Sequence, residues 1–180
     1  MRKRGRDQLP DRRQLPVRWL IAVLVTVVAI SAGACGAERD LAQSIEVTDV
    51  TTGFMSVPPQ GGQHKIVPAI SFRLKNVGPE ALGTLQLNAV FRIADDPTDE
   101  RGSGFIRSVQ PDPLEPGRST EAFTLQAQKG YTGEQQAGEM FQHSQFRDMR
   151  VEVFAKFRAQ QWQRVAEFTI QRQLLMPAAS

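Results

Sequence analysis

Few side chains in this sequence have the types and spacing that catalysis needs. Cys35 is the only cysteine, and His64 and His143 are the only histidines, so these three residues are the candidates for a nucleophile and its base. No G-x-S-x-G sequence occurs, and neither histidine lies in a local motif that would activate a serine or threonine. We therefore expect two exposed imidazoles and a protein that is not an enzyme.

A second group of candidates is acidic. Asp95, Asp96, Asp99 and Glu100 fall within residues 94–104 and offer the oxygen ligands that Ca²⁺ prefers. Their spacing lacks the alternating ligands, the central glycine and the distal glutamate of an EF-hand loop. Two histidines without a further thiol do not supply a typical zinc site. We expect a solvated acidic loop, with no metal and no cofactor.

The lone cysteine follows an apolar leader. Residues 19–34 contain no charged side chain, and basic residues precede them. This pattern is typical of a secretory signal peptide, with an n-region at 1–18 and an h-region at 19–34 that ends in small residues. Extending the run to Ala37 brings it near the ~20 residues of a spanning helix, so an uncleaved signal anchor is the open alternative. Either way, the body is expected to cross the membrane.

The residues Ala32-Gly33-Ala34-Cys35 resemble the lipobox of bacterial lipoproteins, L-(A/S)-(G/A)-C, with Ala32 where leucine is usual. The resemblance implies that the Cys35 thiol carries diacylglycerol, that residues 1–34 are removed, and that palmitate-type chains anchor the mature protein. At ~0.8 kcal/mol per buried methylene, two or three acyl chains hold a protein on a membrane almost permanently. Residues 35–43 then form the lipidated cysteine and a short tether, and the domain faces the periplasm or the cell exterior.

Charge is divided unevenly between leader and body. Residues 1–34 hold seven basic and two acidic residues, whereas the remainder holds 15 basic and 17 acidic residues. A body with a net charge of −2 lacks the basic footprint of a nucleic-acid-binding protein. Arg12 and Arg13 resemble the pair in twin-arginine export signals, but Pro16 and Val17 do not continue that pattern, which favours general secretion.

The body shows the period-2 alternation of half-buried strands, as in Ile70, Phe72 and Leu74. Seven candidate strands have this pattern: residues 44–50, 68–76, 84–93, 104–109, 121–127, 149–158 and 162–172. One polar face on each predicts a mostly β domain, a two-sheet antiparallel sandwich over residues 44–174. Residues 175–180 are left as a C-terminal tail.

The succession FRLKNVGPEALGTLQLNAVFR…LEPGRSTEAFTL resembles bacterial Ig-like modules of the FxLYD and CARDB kind over about residues 66–126. The resemblance implies a single Ig-like β-sandwich of about seven strands. It implies no active site, because sandwiches host many unrelated functions. Asn, Gly and Pro within residues 76–82 predict a turn that reverses two neighbouring strands.

Residues 128–148 are long for a connection in a sandwich, and such segments are often functional. A short helix is expected there, with Met140, Phe141 and Phe146 on its apolar side. Tyr131, Met140, Phe141 and Trp162 are weak binding candidates, because aromatic residues dominate binding hot spots. Packing in the core is the alternative role for each of them.

Together these features predict a membrane-tethered envelope lipoprotein that acts as a non-catalytic protein-interaction or assembly module, with an envelope protein as its partner. The alternative is a small-ligand or carbohydrate-binding accessory protein of an envelope transporter or enzyme system. Aromatic side chains grouped on one exposed face would favour that alternative.

Overall fold

The computed structural model describes residues 39–106 and 112–176. The expected signal peptide at 1–34 and Cys35 lie outside the described residues. The body is a compact unit that begins at Arg39, five residues before the domain boundary expected at residue 44. The helix α1 (Leu41–Ser44) accounts for the difference, because it buries Leu41 completely and its N-terminus is capped by Asp40, which accepts from Gln43 N.

Strands make up most of the remaining described residues. They are β1 (Ile45–Gln60), β2 (Gln63–Asn76), β3 (Leu85–Ile93), β4 (Asp96–Ile106), β5 (Phe123–Gln126), β6 (Tyr131–Gly133), β7 (Met149–Phe157) and β8 (Gln163–Ile170). A 3₁₀ helix, η1 (Glu139–Gln142), precedes β7. Within residues 39–106 and 112–176, no helix has the length and apolar character of a membrane span.

The strands form two antiparallel sheets packed face to face. The first has the order β1-β2-β5, with β6 also paired to β2, and the second has the order β4-β3-β7-β8. The predicted mostly β, two-sheet antiparallel sandwich is therefore confirmed. The turn predicted at 76–82 lies between β2 and β3. It carries the chain from the first sheet to the second.

The core lies between the two sheets and follows the alternation of β3 and β7. Leu87, Ala89 and Phe91 point inward and are fully buried, and so are Val151 and Val153 opposite them. Since successive side chains of a strand point to opposite faces, the intervening residues form the outer face of the second sheet. That outer face is mostly polar.

The stretch 94–104 is not the solvated loop that its acidic residues predicted. β4 begins at Asp96 and pairs with β3 as far as Ile106, with two register shifts near Arg92. Arginines balance three of its carboxylates through the pairs Arg147–Asp95 at 2.7 Å, Arg101–Asp99 at 2.7 Å and Arg92–Glu100 at 3.3 Å. Arg92 lies on β3 and Arg147 lies after β6. The sequence of the acidic run alone therefore does not reveal which arginines pair with it.

Both open sides of the sandwich are tied by hydrogen bonds. On one side, residues 173–175 run parallel to β1, where Phe54 N donates to Gln173 O and Leu175 N donates to Phe54 O, both at 2.8 Å. A Cβ atom on Gly53 would lie only 2.7 Å from Gln173 O. On the other side, the Gln128 amide accepts from Ser103 N at 3.1 Å and donates to Ser103 O. The edges are thus covered rather than open to further strand pairing.

Asn76 is a polar residue that is completely buried at the end of β2. Its Nδ2 donates to Leu114 O at 2.8 Å and to Glu80 O at 2.9 Å, and its Oδ1 accepts from Gly78 N at 3.0 Å. Its side chain thereby joins the segment that crosses from the first sheet to the second with the segment that precedes β5. A buried amide is tolerated when its donors and acceptors are satisfied in this way.

We expect Asn76→Ala to lower the free energy of unfolding by about 2–4 kcal/mol, because it leaves buried backbone groups without partners. Asn88→Ala is the matched control, since the buried Oδ1 of Asn88 has no hydrogen-bond partner. That control should cost less than about 1 kcal/mol. Urea denaturation of both variants measures the difference, and equal losses would contradict the role of Asn76.

Candidate functional site

The two ends of β7 mark two ends of the body. Phe157, paired with Leu85, lies at the end where the described chain begins, since the guanidinium of Arg39 is 4.8 Å from the Phe157 ring. We call this the proximal end. Met149 lies at the other end, about 26 Å away at the usual rise per residue of a strand, and we call this the distal end.

Residues 128–148 form a cap over the distal end of the core. The rings of Tyr131 and Phe146 stack with 4.5 Å between centroids, and Phe54 of β1 lies 5.3 Å from Phe146. Tyr131 Oη donates to Arg147 O at 3.0 Å and accepts from Arg147 N at 3.1 Å. The short helix expected in this segment is present as η1, and the segment also contains β6.

Three of the four weak binding candidates belong to this cap. Met140 is only 4% exposed, and Tyr131 and Phe141 are half-buried against the core. Phe141 lies 5.4 Å from both Phe54 and Phe146. These side chains hold the segment in place, so the alternative role weighed for them, packing, is the one that the structure shows.

A groove of about 690 Å³ lies beside β6 at the distal end. One wall comes from the β1–β2 hairpin and the other from Gln126, Gln128 and Thr132. Lys65 supplies the positive charge of the lining, and its Nζ donates to Gln128 O at 3.1 Å. The groove is therefore lined by apolar side chains as well as polar ones, and Gln63, Gln126 and Lys65 supply groups that can hydrogen-bond to a partner.

The position of β6 against β2 depends on a close approach of two backbones. Gly130 packs directly on Ile66 of β2, and a Cβ atom at this position would lie 2.9 Å from the Val67 Cα atom. Only glycine lets the chain pass from β5 to β6 so near to β2.

Both histidines belong to the distal part of the body. His64 lies on β2 opposite Gly133. His143 follows η1, accepts from Gln145 N on its Nδ1 at 3.2 Å, and lines a small cavity of about 160 Å³ with Tyr131. Across the described ranges, no three His, Cys, Asp or Glu side chains come close enough together to hold a metal ion.

The fourth candidate, Trp162, lies apart from the cap at the proximal end. It is 38% exposed, and its ring meets that of Phe105, 51% exposed, edge to face with 6.1 Å between centroids. Phe105 lies on β4 and Trp162 lies just before β8, and these strands are the two edges of the second sheet. Lys156 Nζ is 5.9 Å from the Trp162 ring centroid. Asn88 lies between Phe105 and Phe154 in the strand register.

Phe105 was not among the candidate residues predicted from the sequence. It fell in the weakest candidate strand, and its exposure follows from the register of β4 against β3, where Phe105 pairs with the outward-facing Asn88. The available signal was the alternation of Phe105 with Gly104 and Ile106, which places one large aromatic side chain on the polar face.

The rest of the outer face carries a network of ion pairs. Glu152, whose side chain is 12% exposed, accepts from Arg92 and Arg164, each at 3.0 Å. Partial burial alone would raise the pKa of Glu152, but the hydrogen bonds from these two arginines outweigh it and hold the pKa below its ordinary value of 4.5. Arg164 also contacts Glu167 at 3.0 Å.

Comparisons with known proteins do not assign this chain to a family. No protein-family model matches it, and no curated protein matches it. Among solved structures, a structural-genomics target matches at 15% identity with a TM-score of 0.42, over 73% of this chain and 89% of that one.

Two other solved structures match at a similar level. A calcium-binding mutant of β-glucuronidase 2 from Bacteroides uniformis is 20% identical with a TM-score of 0.40, over 65% of this chain and 12% of that one. An ApaA protein from Bordetella pertussis is 17% identical with a TM-score of 0.37, over 72% of this chain and 96% of that one. At these TM-scores the likenesses carry no argument about function.

We expect Gly130→Ala to destabilise the protein by about 1–3 kcal/mol, because the added methyl group forces β6 away from β2. Gly138→Ala, in the same segment, adds a methyl group that meets no atom within 4 Å and should change stability by less than about 0.5 kcal/mol. Thermal melts of the two variants compare them directly. A Gly130→Ala protein as stable as Gly138→Ala would show that the close packing is dispensable.

Glu152→Gln should reduce stability most near neutral pH. A carboxyl group with a lowered pKa in the folded state stabilises the fold above about pH 4.5, and this contribution is lost as the pH falls further. The difference in free energy of unfolding between wild type and variant should therefore shrink from about pH 7 to pH 3. The exposed Glu134→Gln is the control for removal of a charge. A difference independent of pH would contradict the assignment.

Proposed function

We propose that this protein is a membrane-tethered, non-catalytic interaction module of a bacterial envelope, and that an envelope protein binds in its distal groove. The carrying observation is that Gln128 and Thr132 form part of one wall of that groove, and that they belong to the segment held by the rings of Tyr131, Phe146 and Phe54. A rigid wall lowers the entropy that the site loses on binding.

Anchoring at Cys35 is the first part of the proposal. Three residues separate Cys35 from Arg39, so a lipidated Cys35 lies at most about 14 Å from the start of the folded body. An uncleaved signal anchor would hold the body at a similar distance from the bilayer. In both cases the body sits on the outer surface of the membrane that receives the leader.

Binding of a polypeptide is the second part. Gln63 and Gln126 offer both donors and acceptors to backbone amides of an extended segment, whereas the Gln128 side chain is bonded to Ser103. Lys65 favours an acidic side chain or a terminal carboxylate on that segment.

The Ig-like character of the sandwich is also part of the proposal. The two motifs on which that resemblance depends are in direct contact, since Asn76 of the first motif binds Leu114 O at the start of LEPGRS. Leu82 and Leu114 exchange backbone hydrogen bonds at 3.0 and 2.8 Å in the same place. These contacts support one module over residues 66–126.

Carbohydrate binding is the second candidate function. Phe105 and Trp162 are aromatic side chains grouped on one exposed face, which is the feature that favours it. Their planes, however, are inclined by 71°, so they do not form the flat platform on which a sugar ring stacks. A glycan panel tested by ligand-dependent shifts in melting temperature separates the two functions, because a shift with any glycan that Trp162→Ala abolishes would favour carbohydrate binding.

We expect Thr132→Trp to fill the groove and abolish crosslinking of the partner in intact envelopes. Glu134→Trp, two residues away and outside the groove lining, should leave it unchanged. Quantitative mass spectrometry of crosslinked complexes measures both, with thermal melts to verify folding. Loss of the partner in both variants, or in neither, would contradict binding in the groove.

Labelled palmitate should be incorporated into the wild-type chain and not into Cys35→Ser, because the resemblance assigns the acylated thiol to Cys35. Intact-mass measurement should show that the labelled chain begins at Cys35. A membrane-bound chain without label that retains residues 1–34 would instead establish the signal anchor.

A further inference from the structure

The beginning of the folded body is fixed beside Trp162. Gln163 Nε2 donates to Arg39 O at 2.9 Å, and Gln163 Oε1 accepts from Leu41 N at 2.7 Å. Gln163, which follows Trp162, therefore binds the first residues of the body through both the nitrogen and the oxygen of its side-chain amide. The chain that precedes Arg39 therefore joins the folded body at this corner.

The same corner carries uncompensated positive charge. Arg158 begins the turn between β7 and β8 that Trp162 ends, and its guanidinium lies 4.8 Å from the Phe157 ring. Among the described residues, neither Arg158 nor Lys156 has a carboxylate oxygen within 4.0 Å. By contrast, Arg39 is paired with Glu80, and the arginines elsewhere on the outer face are paired with Glu152 and Glu167.

We propose that the proximal surface, made of Phe105, Lys156, Arg158 and Trp162, binds the anionic headgroups of the bilayer to which the chain is tethered. This inference rests on the membrane tether of the proposed function. It adds an orientation: the domain lies with its proximal surface against the lipid, and the distal groove faces away from it.

The composition of the surface fits a lipid headgroup layer. Tryptophan is enriched where membranes meet water, because its ring is apolar and its N–H is polar. Each Lys or Arg close to an anionic bilayer strengthens binding about fivefold. A tether of at most about 14 Å keeps these side chains within reach of the headgroups at all times, so a weak surface suffices.

Tryptophan fluorescence reports on this contact in the full chain. The chain has two tryptophans, so Trp19→Phe leaves Trp162 as the only one. This variant is reconstituted into phosphatidylcholine vesicles with or without phosphatidylglycerol, each containing lipid brominated near the headgroup. We expect strong quenching of Trp162 in the anionic vesicles, and partial loss of that quenching at high salt.

The distal control is Trp19→Phe, Trp162→Phe, Glu134→Trp, which moves the single tryptophan to the opposite end. It should not be quenched in either vesicle. Quenching of Trp162 no greater than that of this reporter would overturn the proposal, as would equal quenching of Trp162 in neutral and anionic vesicles.

Charge variants separate the surface from the tether. Lys156→Glu with Arg158→Glu should reduce the quenching of Trp162 to the level of the distal reporter, whereas Lys129→Glu at the distal end should leave it unchanged. Flotation of the vesicles tests the membrane tether separately from the orientation of the domain. A chain that does not float contradicts the tether itself, and a chain that floats without quenching contradicts only the orientation. Thermal melts verify that the variants are folded.

Discussion

The strict alternation of β3 and β7 is the constraint on which the rest of the structure depends. Their inward side chains, among them Leu87, Phe91 and Val151, are fully buried, and a shift of the register by one residue would exchange them with the charged outer face. At about 25 cal/mol per Å² of apolar surface, burial of these side chains supplies the main driving force for the fold. The positions of the ion pairs, of Asn88 and of the exposed ring pair follow from that register.

The two ends of the sandwich are closed by different kinds of contact, so the proximal and distal ends of the molecule differ in character. The proximal end is held by buried polar groups, with Asn76 joining the crossing between the sheets to the segment before β5. The distal end is held by packed rings, with Tyr131 and Phe146 stacked over Phe54. The first arrangement fixes where the chain enters, and the second fixes the wall of a groove. With the membrane tether that we propose, a groove at the far end of the domain would suit the capture of a partner away from the bilayer.

Much of the fold could be predicted from the sequence, because seven stretches show the alternation that a half-buried strand requires. β4 was misread as a loop because its charges are neutralised by Arg92 and Arg147, which the sequence places far from it. The residue types of Tyr131, Met140 and Phe141 made them candidates for binding a partner. Only the position of Phe54 on β1 shows that they pack together. Phe105 was missed because it lies in the weakest candidate strand, where alternation with Gly104 and Ile106 does not show which face is exposed. The lipobox lies outside the described residues and stays a prediction.

The central claim is that the two ends of the body have different surroundings in the cell. Site-specific photo-crosslinking in intact cells tests it most directly, with the photoreactive residue placed at exposed Gln63 in the distal groove or at exposed Gln161 beside Trp162. The account predicts one discrete protein adduct from position 63, and lipid adducts without a protein adduct from position 161. A protein adduct from position 161 together with none from position 63 would contradict it.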